Sequence, residues 1–334
     1  MTQDVVQGRA AGKFRIEPLD AARGLALVAM AIYHFAWDLE FFGYAAPGMT
    51  ATGGWKLFAR SIASSFLAIV GISLYLAHAD GMRVPAYLRR LAMVAGAALA
   101  ISAVTWLAVP GGFIFFGILH QIALASVLGL LFLRWPWPLT LLGAALVIAA
   151  PWYLRGEWFD APVLWWVGLS SSDLRSNDYV PLFPWFGAVL AGIALARLAA
   201  AQGWIARAAV PLGGWSVPLR FIGRHSLAFY LVHQPVLIGL VFLVTLLVPP
   251  PPVSDEARFD AACQASCSGL REAAFCTRYC ACVYRRLDAE NGLDAALSSD
   301  QDAADTAMLN EIAATCTFEV DNQPEEAEGT PTDE

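Results

Sequence analysis

The sequence GLALVAMAIYHFAWDLEFFG, residues 24–43, is apolar enough and long enough to cross a lipid bilayer, yet it contains His34 and Asp38. A spanning helix needs roughly 20 apolar residues. The whole chain has the same character, since its 334 residues are 58% hydrophobic and only 15% charged, with a mean hydropathy of +0.55. This composition excludes an ordinary soluble enzyme and predicts a multi-span membrane protein.

Seven apolar stretches are long enough to serve as membrane spans. The predicted fold class is therefore all-α, a polytopic membrane helix bundle of about seven spans with a small disulfide-bonded helical tail. We divide the chain into an N-terminal segment (1–19), a transmembrane domain (20–248), a cysteine-rich helical tail (249–320) and a disordered acidic C-terminus (321–334). The predicted spans cover about residues 21–43, 58–79, 86–108, 112–133, 137–154, 183–201 and 221–248.

The distribution of Lys and Arg predicts the orientation, because basic residues are retained on the cytoplasmic side of a membrane. One set of loops, together with the N-terminal segment, carries Arg9, Lys13, Arg15, Arg83, Arg89, Arg90, Arg134, Arg197, Arg207, Arg220 and Arg224. The opposite loops carry only Lys56, Arg60, Arg155 and Arg175. This bias predicts a cytoplasmic N-terminus and, with an odd number of spans, a C-terminus outside. The net charge of −7 reflects the acidic tail, and nothing in the sequence points to a nucleic-acid partner.

The cysteines give an independent indication of where the tail lies. All six follow the last predicted span, a pattern typical of disulfides in an oxidising compartment. Two pairs are spaced four residues apart, so each pair would line one helix face, and a turn near Ser268-Gly269 would bring the two faces together. The alternative is a zinc site, although the tail has no histidine. The expected bridges are Cys263–Cys280, Cys267–Cys276 and Cys282–Cys316.

The first span carries a polar stripe. At 100° per residue, Asp20, Arg23, His34 and Asp38 fall within an arc of about 60°. A central Asp costs roughly 2.5–3.5 kcal/mol on insertion, so such residues normally face a bundle interior or an aqueous cavity. Asp38 could hold one ring nitrogen of His34 and leave the other free to accept a proton, the geometry of a general base. A hydrogen-bonded pair that only fixes helix packing is the alternative.

Two further spans carry polar groups at membrane depth. The fourth contains His120 and Gln121, and the last contains Tyr230 and His233 on one face. Each histidine could equally be a core residue satisfied by a local partner. The loop before the sixth span offers side chains suited to the hydroxyl or amino groups of a sugar, or simply to solvent. These loop residues are Asp173, Arg175, Asn177 and Asp178.

Four segments carry a family resemblance: RIEPLDAARGLALVAMAIYHFAWDL (15–39), GILHQIALASVLGL (117–130), DYVPLFPWFGAVLAGI (178–193) and GRHSLAFYLVHQPVLIGL (223–240). Together they resemble the bacterial branch of the heparan-α-glucosaminide N-acetyltransferase family, most specifically in the LDxxRG motif. The resemblance implies a multi-pass inner-membrane acyltransferase that moves an acetyl group from cytosolic acetyl-CoA to a sugar on the periplasmic side. Lysosomal members carry an essential histidine after the first span. The matching residues 47–61 have none, which leaves His34 as the nearest substitute.

The resemblance and the polar residues together give each side chain an expected role. We predict catalysis by His34 as general base with Asp38 as its orienting partner, and by His120 and His233. Acetyl-CoA phosphates would bind Arg23, Arg220 and Arg224, since guanidinium groups suit phosphate, unless these arginines only anchor helix ends at the headgroups. The acceptor, a glycan or lipid-linked sugar, would bind Asp178, Asn177, Gln121 and Tyr230, and no metal is expected.

Two other functions remain open from the sequence. Intramembrane His and Asp also suit the proton relay of a secondary transporter, and the bundle could be a non-catalytic scaffold that displays the cysteine-rich tail. Acetyl-CoA binding would separate the acyltransferase from both. The lipid bilayer is the expected environment, and a homo-oligomer and a protein partner for the tail are both compatible with the sequence.

Overall fold

The computed structural model describes residues 16–78, 81–172, 174, 176–208, 211–251, 254–267, 270–297 and 302–322. Several predicted features lie outside these residues: most of the N-terminal segment with Arg9, Lys13 and Arg15, the loop residues Asp173 and Arg175, the turn at Ser268-Gly269, and most of the acidic C-terminus. The described residues form α-helices joined by short 3₁₀ turns and loops, and none of them is in a β-strand.

Among the described residues, nine helices precede the tail. Three of them, α3, α5 and α8, begin with a proline in the first turn, where the missing N–H costs nothing and the fixed φ suits a helix. The helices are α1 (Glu17–Phe41), α2 (Gly53–His78), α3 (Val84–Ala108), α4 (Ile118–Leu128), α5 (Trp137–Leu154), α6 (Leu182–Ala201), α7 (Trp204–Ala208), α8 (Val217–Arg224) and α9 (Ser226–Leu247).

Six of these helices are long and apolar enough to cross a membrane: α1, α2, α3, α5, α6 and α9. The predicted fourth span is a shorter apolar helix over Ile118–Phe132, which is α4 continued by a 3₁₀ turn. The last predicted span, 221–248, is wrong at its start, because the chain breaks at His225 between α8 and α9. The membrane helix bundle is thus confirmed, with six long apolar helices and one shorter one.

Helix α6 lies at the centre of the bundle core. Val189, Leu190 and Ile193 on this helix are fully buried. Glycines let its backbone approach that of α2 closely, since a Cβ on Gly71 would lie 2.1 Å from the Val189 carbonyl oxygen and one on Gly192 would lie 2.1 Å from that of Ala68. Such small-residue contacts are typical of helix pairs in membranes, where close van der Waals packing replaces the hydrophobic driving force.

The described residues fall into two compact units, one of residues 16–38 and 50–242 and the other of residues 39–49 and 243–322. The second unit contains the tail helices α10 (Asp255–Cys267), α11 (Ala273–Ala289), α12 (Leu293–Leu297) and α13 (Ala303–Asn322). The three predicted disulfides are confirmed, and no described cysteine is free. Cys263–Cys280 and Cys267–Cys276 join α10 to α11, while Cys282–Cys316 joins α11 to α13.

The tail unit has a small apolar core of its own. Phe259, Val283, Leu287 and Ile312 are buried there beside the Cys282–Cys316 bridge. Arg286 also forms an ion pair with Glu319 across α11 and α13. A core this small gains stability from disulfides, which restrict the unfolded chain. The zinc alternative is excluded for these cysteines, because all six sulfur atoms are in disulfides.

Candidate active site

The polar stripe of α1 takes part in two separate groups of contacts. Asp20 and Arg23 meet α8 and α2 near the beginning of the helix, whereas His34 and Asp38 meet α9 in its last third. Asp38 is fully buried. The expectation that this face points into the protein rather than toward lipid therefore holds at both ends.

The Asp38 carboxylate binds α9, not the neighbouring turn of α1. Its Oδ1 accepts a hydrogen bond of 2.7 Å from Gln234 Nε2. Its Oδ2 is buried and has no hydrogen-bond partner among the residues that the structure describes. The predicted Asp38–His34 hydrogen bond is therefore not formed. The carboxylate is instead bonded to the facing helix through Gln234, and the ring of His34 lies against His233 rather than against Asp38.

His34 instead lies against a second imidazole. The ring centroids of His34 and His233 are 5.1 Å apart in an edge-on arrangement. His233 Nδ1 lies 2.7 Å from the carbonyl oxygen of Tyr230, and because a carbonyl can only accept, this nitrogen must carry the hydrogen. In the neutral ring His233 Nε2 then holds the lone pair, and this buried atom has no hydrogen-bond partner in the part of the chain that the structure describes. The base geometry predicted for His34, with one nitrogen anchored and the other free, is present at His233.

Among the described residues, three buried atoms on the side chains that join α1 and α9 have no hydrogen-bond partner: Asp38 Oδ2, Gln234 Oε1 and His233 Nε2. All three are hydrogen-bond acceptors. Leaving a buried acceptor unpaired costs about 1–3 kcal/mol, so the group is suited to a ligand that donates hydrogen bonds. Hydroxyl and amino groups meet that requirement. Gln234 was not among the predicted site residues, although its position beside His233 in the sequence HQP was the signal for it.

His120 occupies a different place from the other two membrane histidines. Its Nδ1 accepts a hydrogen bond from the backbone N–H of Gly117 at 3.2 Å, and its Nε2 lies 3.1 Å from Ser102 Oγ. Ser102 in turn donates to the Ile114 carbonyl. Both ring nitrogens are thus used to hold the beginning of α4. The ring contacts Phe116 and is not in contact with His34 or His233, so the geometry favours the structural alternative for His120.

Two predicted substrate-binding residues are bonded to each other. Asp178 Oδ2 accepts hydrogen bonds from the Ile118 backbone N–H at 2.9 Å and from the Tyr230 hydroxyl at 3.3 Å. Burial raises the pKa of the Asp178 carboxyl. Asn177 is exposed, with its side chain beside Gly112. Gln121 is fully buried, and neither polar atom of its amide has a partner among the described residues.

The loop before α6 is anchored by hydrogen bonds at several points. Asp160 accepts hydrogen bonds from the hydroxyls of Ser170 and Ser171 at 2.6 Å each, and these bonds lower its pKa to about 2. The Tyr179 hydroxyl donates to the Trp165 carbonyl at 2.6 Å, and burial raises the Tyr179 pKa to about 12. Of the loop residues singled out in the sequence, Asp178 is thus held by hydrogen bonds, whereas Asn177 is exposed as the solvent alternative expects.

The three predicted phosphate-binding arginines lie together where α1 and α8 meet. Arg23 contacts Asp20 at 3.2 Å and Ser73 at 2.8 Å, and Arg224 contacts the other oxygen of Asp20 at 3.3 Å. Arg220 pairs with Glu17, while its buried Nε has no partner among the described residues. Three guanidinium groups thus face two carboxylates.

Glycines bring α1 and α8 into direct backbone contact beside these arginines. A Cβ on Gly24 would lie 2.0 Å from the Leu219 carbonyl oxygen, and one on Gly223 would lie 1.9 Å from that of Asp20. The LDxxRG motif therefore has a structural meaning. Its Asp and Arg form the ion pairs, and its Gly permits the approach of α8.

The described residues bring one set of three potential metal ligands within reach of one another, Cys282, Cys316 and Glu319. Both cysteines are in a disulfide, so this set does not offer thiolates to a metal.

The comparisons with known proteins point to one family. The model for heparan-alpha-glucosaminide N-acetyltransferase, catalytic, matches residues 15–235. No curated protein and no solved structure matches the chain significantly.

Proposed function

This chain belongs to the heparan-alpha-glucosaminide N-acetyltransferase family, and from that premise we propose that it transfers an acetyl group from acetyl-CoA to a hydroxyl or amine of an envelope glycan. The family match and the apolar helices make it a multi-pass membrane acetyltransferase. The identity of donor and acceptor is the part we propose. The observation that carries it is the group of His34, Asp38, His233 and Gln234 between α1 and α9.

The chemistry of this group suits a sugar acceptor. Asp38 Oδ2, Gln234 Oε1 and His233 Nε2 can each receive one hydrogen bond, and the hydroxyls and amino groups of a sugar ring are hydrogen-bond donors. A thioester carbonyl supplies none. We therefore assign these atoms to the acceptor sugar rather than to the acyl donor.

The transfer itself requires one proton to move. As the acceptor oxygen or nitrogen attacks the thioester carbon, its proton passes to an imidazole, His233 Nε2 or a ring nitrogen of His34. The tetrahedral intermediate then expels the CoA thiolate, which recovers the proton. Asp38 stabilises the imidazolium electrostatically while it exists. A two-step route would use the same residues. An imidazole nitrogen would first take the acetyl group from the thioester and release CoA, and the acceptor would then take the acetyl group from the imidazole.

We assign the anionic end of acetyl-CoA to Arg23, Arg220 and Arg224. The support is their convergence at one end of α1 and the unpartnered Nε of Arg220. Arg220→Gln should raise the Kd for acetyl-CoA about tenfold, since a hydrogen bond to a charged group is worth about 1.5–3 kcal/mol. Arg134→Gln, at an exposed arginine, is the matched control. Equal affinity in both variants would leave headgroup anchoring as the role of Arg220.

We place the protein in the bacterial inner membrane, with its N-terminus in the cytoplasm and the disulfide-bonded tail in the periplasm. The basic bias of the loops and the use of all six cysteines in disulfides support this orientation. Acetyl-CoA would then reach the arginines from the cytoplasm, and the acceptor would be acetylated across the membrane.

The test is transfer of labelled acetyl groups. Membranes that contain the protein are incubated with acetyl-CoA labelled in the acetyl group, and the label is traced to glycan, lipid or protein. We expect label in a sugar-containing fraction that is missing from membranes without the protein. Uptake of a solute that needs a proton gradient, with no acetyl transfer, would favour the transporter alternative. Neither activity would favour the scaffold.

A further inference from the structure

We infer that Asp178 and Tyr230 are positioning residues that fix the imidazole of His233, and that Asp178 acts through its hydrogen bonds rather than through its charge. The inference rests on the proposed function, because acetyl transfer is the reaction that His233 would serve. It replaces the substrate-binding role that the sequence suggests for both residues.

One oxygen of Asp178 joins two helices. Oδ2 accepts the backbone N–H of Ile118, the first residue of α4, and the hydroxyl of Tyr230 on α9. There is little space around this oxygen, since a Cβ on Gly117 would lie 2.3 Å from it. Asp178 therefore satisfies a donor at the start of α4 and fixes the position of α9 against it.

Backbone pairing places Asp178 in this position. The N–H of Asn177 donates to the Gly112 carbonyl at 3.1 Å, and the N–H of Val180 donates to the Phe116 carbonyl at 3.0 Å. These bonds hold both flanks of Asp178 against the segment that leads into α4. The carboxylate is consequently presented by a fixed backbone rather than by a mobile loop tip.

Tyr230 connects Asp178 to His233, because it contacts both residues. Its hydroxyl donates to Asp178, and its own carbonyl oxygen lies 2.7 Å from His233 Nδ1. The ring of Phe229 stacks parallel to that of His233 at 6.0 Å. Only two residues of α9 are buried, His233 and Val241, so apolar packing alone does little to fix the rotation of this helix. Two polar contacts therefore fix that rotation: the Gln234–Asp38 bond beside the imidazole and the Tyr230–Asp178 bond one turn away.

The two roles for Asp178 predict opposite results for one conservative change. In Asp178→Asn, the amide oxygen can occupy the Oδ2 position and still accept both hydrogen bonds. A positioning role therefore survives this change, whereas Asp178→Ala removes both acceptor contacts. A role that needs the negative charge, in catalysis or in binding a substrate cation, is lost equally in both variants.

The experiment measures acetyl transfer by the full-length protein in native membranes, with acetyl-CoA as the varied substrate. We expect Asp178→Ala and Tyr230→Phe to lower kcat by up to about 10²-fold, as small misplacements of reacting groups do, with KM for acetyl-CoA unchanged. Asp178→Asn should stay within a few-fold of the wild type. The double variant Asp178→Ala/Tyr230→Phe should lose no more than the Ala variant alone, since Asp178→Ala already removes the Tyr230–Asp178 bond that Tyr230→Phe removes.

Tyr230→Phe separates a loss of positioning from misfolding, because it leaves the hydrogen bond between Asp178 and Ile118 intact. Tyr179→Phe is the matched control, since the Tyr179 hydroxyl binds Trp165 within the loop. Loss of activity in Asp178→Asn equal to that in Asp178→Ala would overturn the inference, and so would independent losses in the double variant.

A second readout separates this inference from the proposed function. If the wild type transfers no acetyl group, the proposed function fails, and labelling of His233 by diethyl pyrocarbonate decides the inference. The buried Nε2 of the wild type should react slowly. Tyr230→Phe should react about fivefold faster, the factor that one neutral hydrogen bond contributes. An unchanged labelling rate would overturn the positioning role even in an inactive protein.

Discussion

Asp38 accepts its hydrogen bond from Gln234 on α9, and that one contact changes how the site works at the level of residues. The i, i+4 spacing of His34 and Asp38 suggested a pair within one helix. In the structure the carboxylate reaches across to another helix, and the anchored imidazole is His233, held by a backbone carbonyl. The sequence therefore indicated which residues are polar at membrane depth, but not their partners. Partners depend on how α9 is rotated against α1, and spacing within one helix carries no information about that.

The first prediction concerns the two facing imidazoles, those of His34 and His233. His233→Ala should lower acetyl transfer by 10²–10⁴-fold, the range that acid–base groups contribute, and His34→Ala should do the same if the rings act as one unit. Membrane insertion should be unaffected in both. His225→Ala is the control, since that histidine is exposed and bonds only its own helix turn. Activity near the wild-type level in both single variants would refute this site.

The charge of Asp38 is the subject of the second prediction. Asp38→Asn can still accept from Gln234, so the geometry should survive while the stabilisation of an imidazolium is lost. We expect a decrease in kcat of about tenfold, which corresponds to about 1.4 kcal/mol and is milder than the loss for either histidine. Kinetics with acetyl-CoA would measure it. A variant as inactive as His233→Ala would assign Asp38 a direct part in the chemistry.

At the scale of helices, the LDxxRG motif of α1 and helix α8 form one tightly packed contact. Gly24 and Gly223 allow the backbones of α1 and α8 to touch, and Asp20 bonds arginines from both helices. The sequence marked these residues as a family motif without showing what they contact. It also predicted one span where α8 and α9 are two helices, because the apolar run continues through the break at His225. Hydropathy detects membrane depth, whereas a helix break depends on backbone geometry.

A substitution at Gly223 tests this contact between α1 and α8. A Cβ there would lie 1.9 Å from the Asp20 carbonyl oxygen, so Gly223→Ala must push the helices apart and should destabilise the protein by about 1–3 kcal/mol, as overpacking does. The measurement is thermal unfolding in detergent. Gly239→Ala is the matched control, a glycine in α9 whose added Cβ would meet no atom within 4 Å. Equal unfolding temperatures for the two variants would show that the contact is not tight.

For the whole molecule, composition and cysteine spacing predicted the architecture well. The apolar runs identified the membrane helices, and the four-residue spacing of Cys263/Cys267 and Cys276/Cys280 predicted the pairing found between α10 and α11. Both features follow from local helix geometry, the rise per residue for the length of a span and the rotation per residue for the cysteine faces, which is why one sequence sufficed. The packing of α6 through Gly71 and Gly192 was not predicted, because glycine in an apolar run has no signature of its own.

The orientation of the tail can be tested with the same cysteines. In intact cells freed of the outer membrane, an impermeant thiol reagent should label the tail only after an impermeant reductant is added. Labelling without reductant would contradict the disulfides. Labelling that requires lysis of the inner membrane would instead place the tail in the cytoplasm, and the acceptor would have to be sought on that side.

The most direct test of the central claim is release of CoA thiol by the purified, full-length protein in proteoliposomes supplied with acetyl-CoA and an extract of envelope glycans. We expect thiol release that depends on the glycan, matched by acetyl groups appearing on its sugars, and reduced at least 10²-fold in the His34→Ala/His233→Ala double variant. Release that is independent of any acceptor, or transfer that persists at the wild-type rate without both histidines, would contradict it.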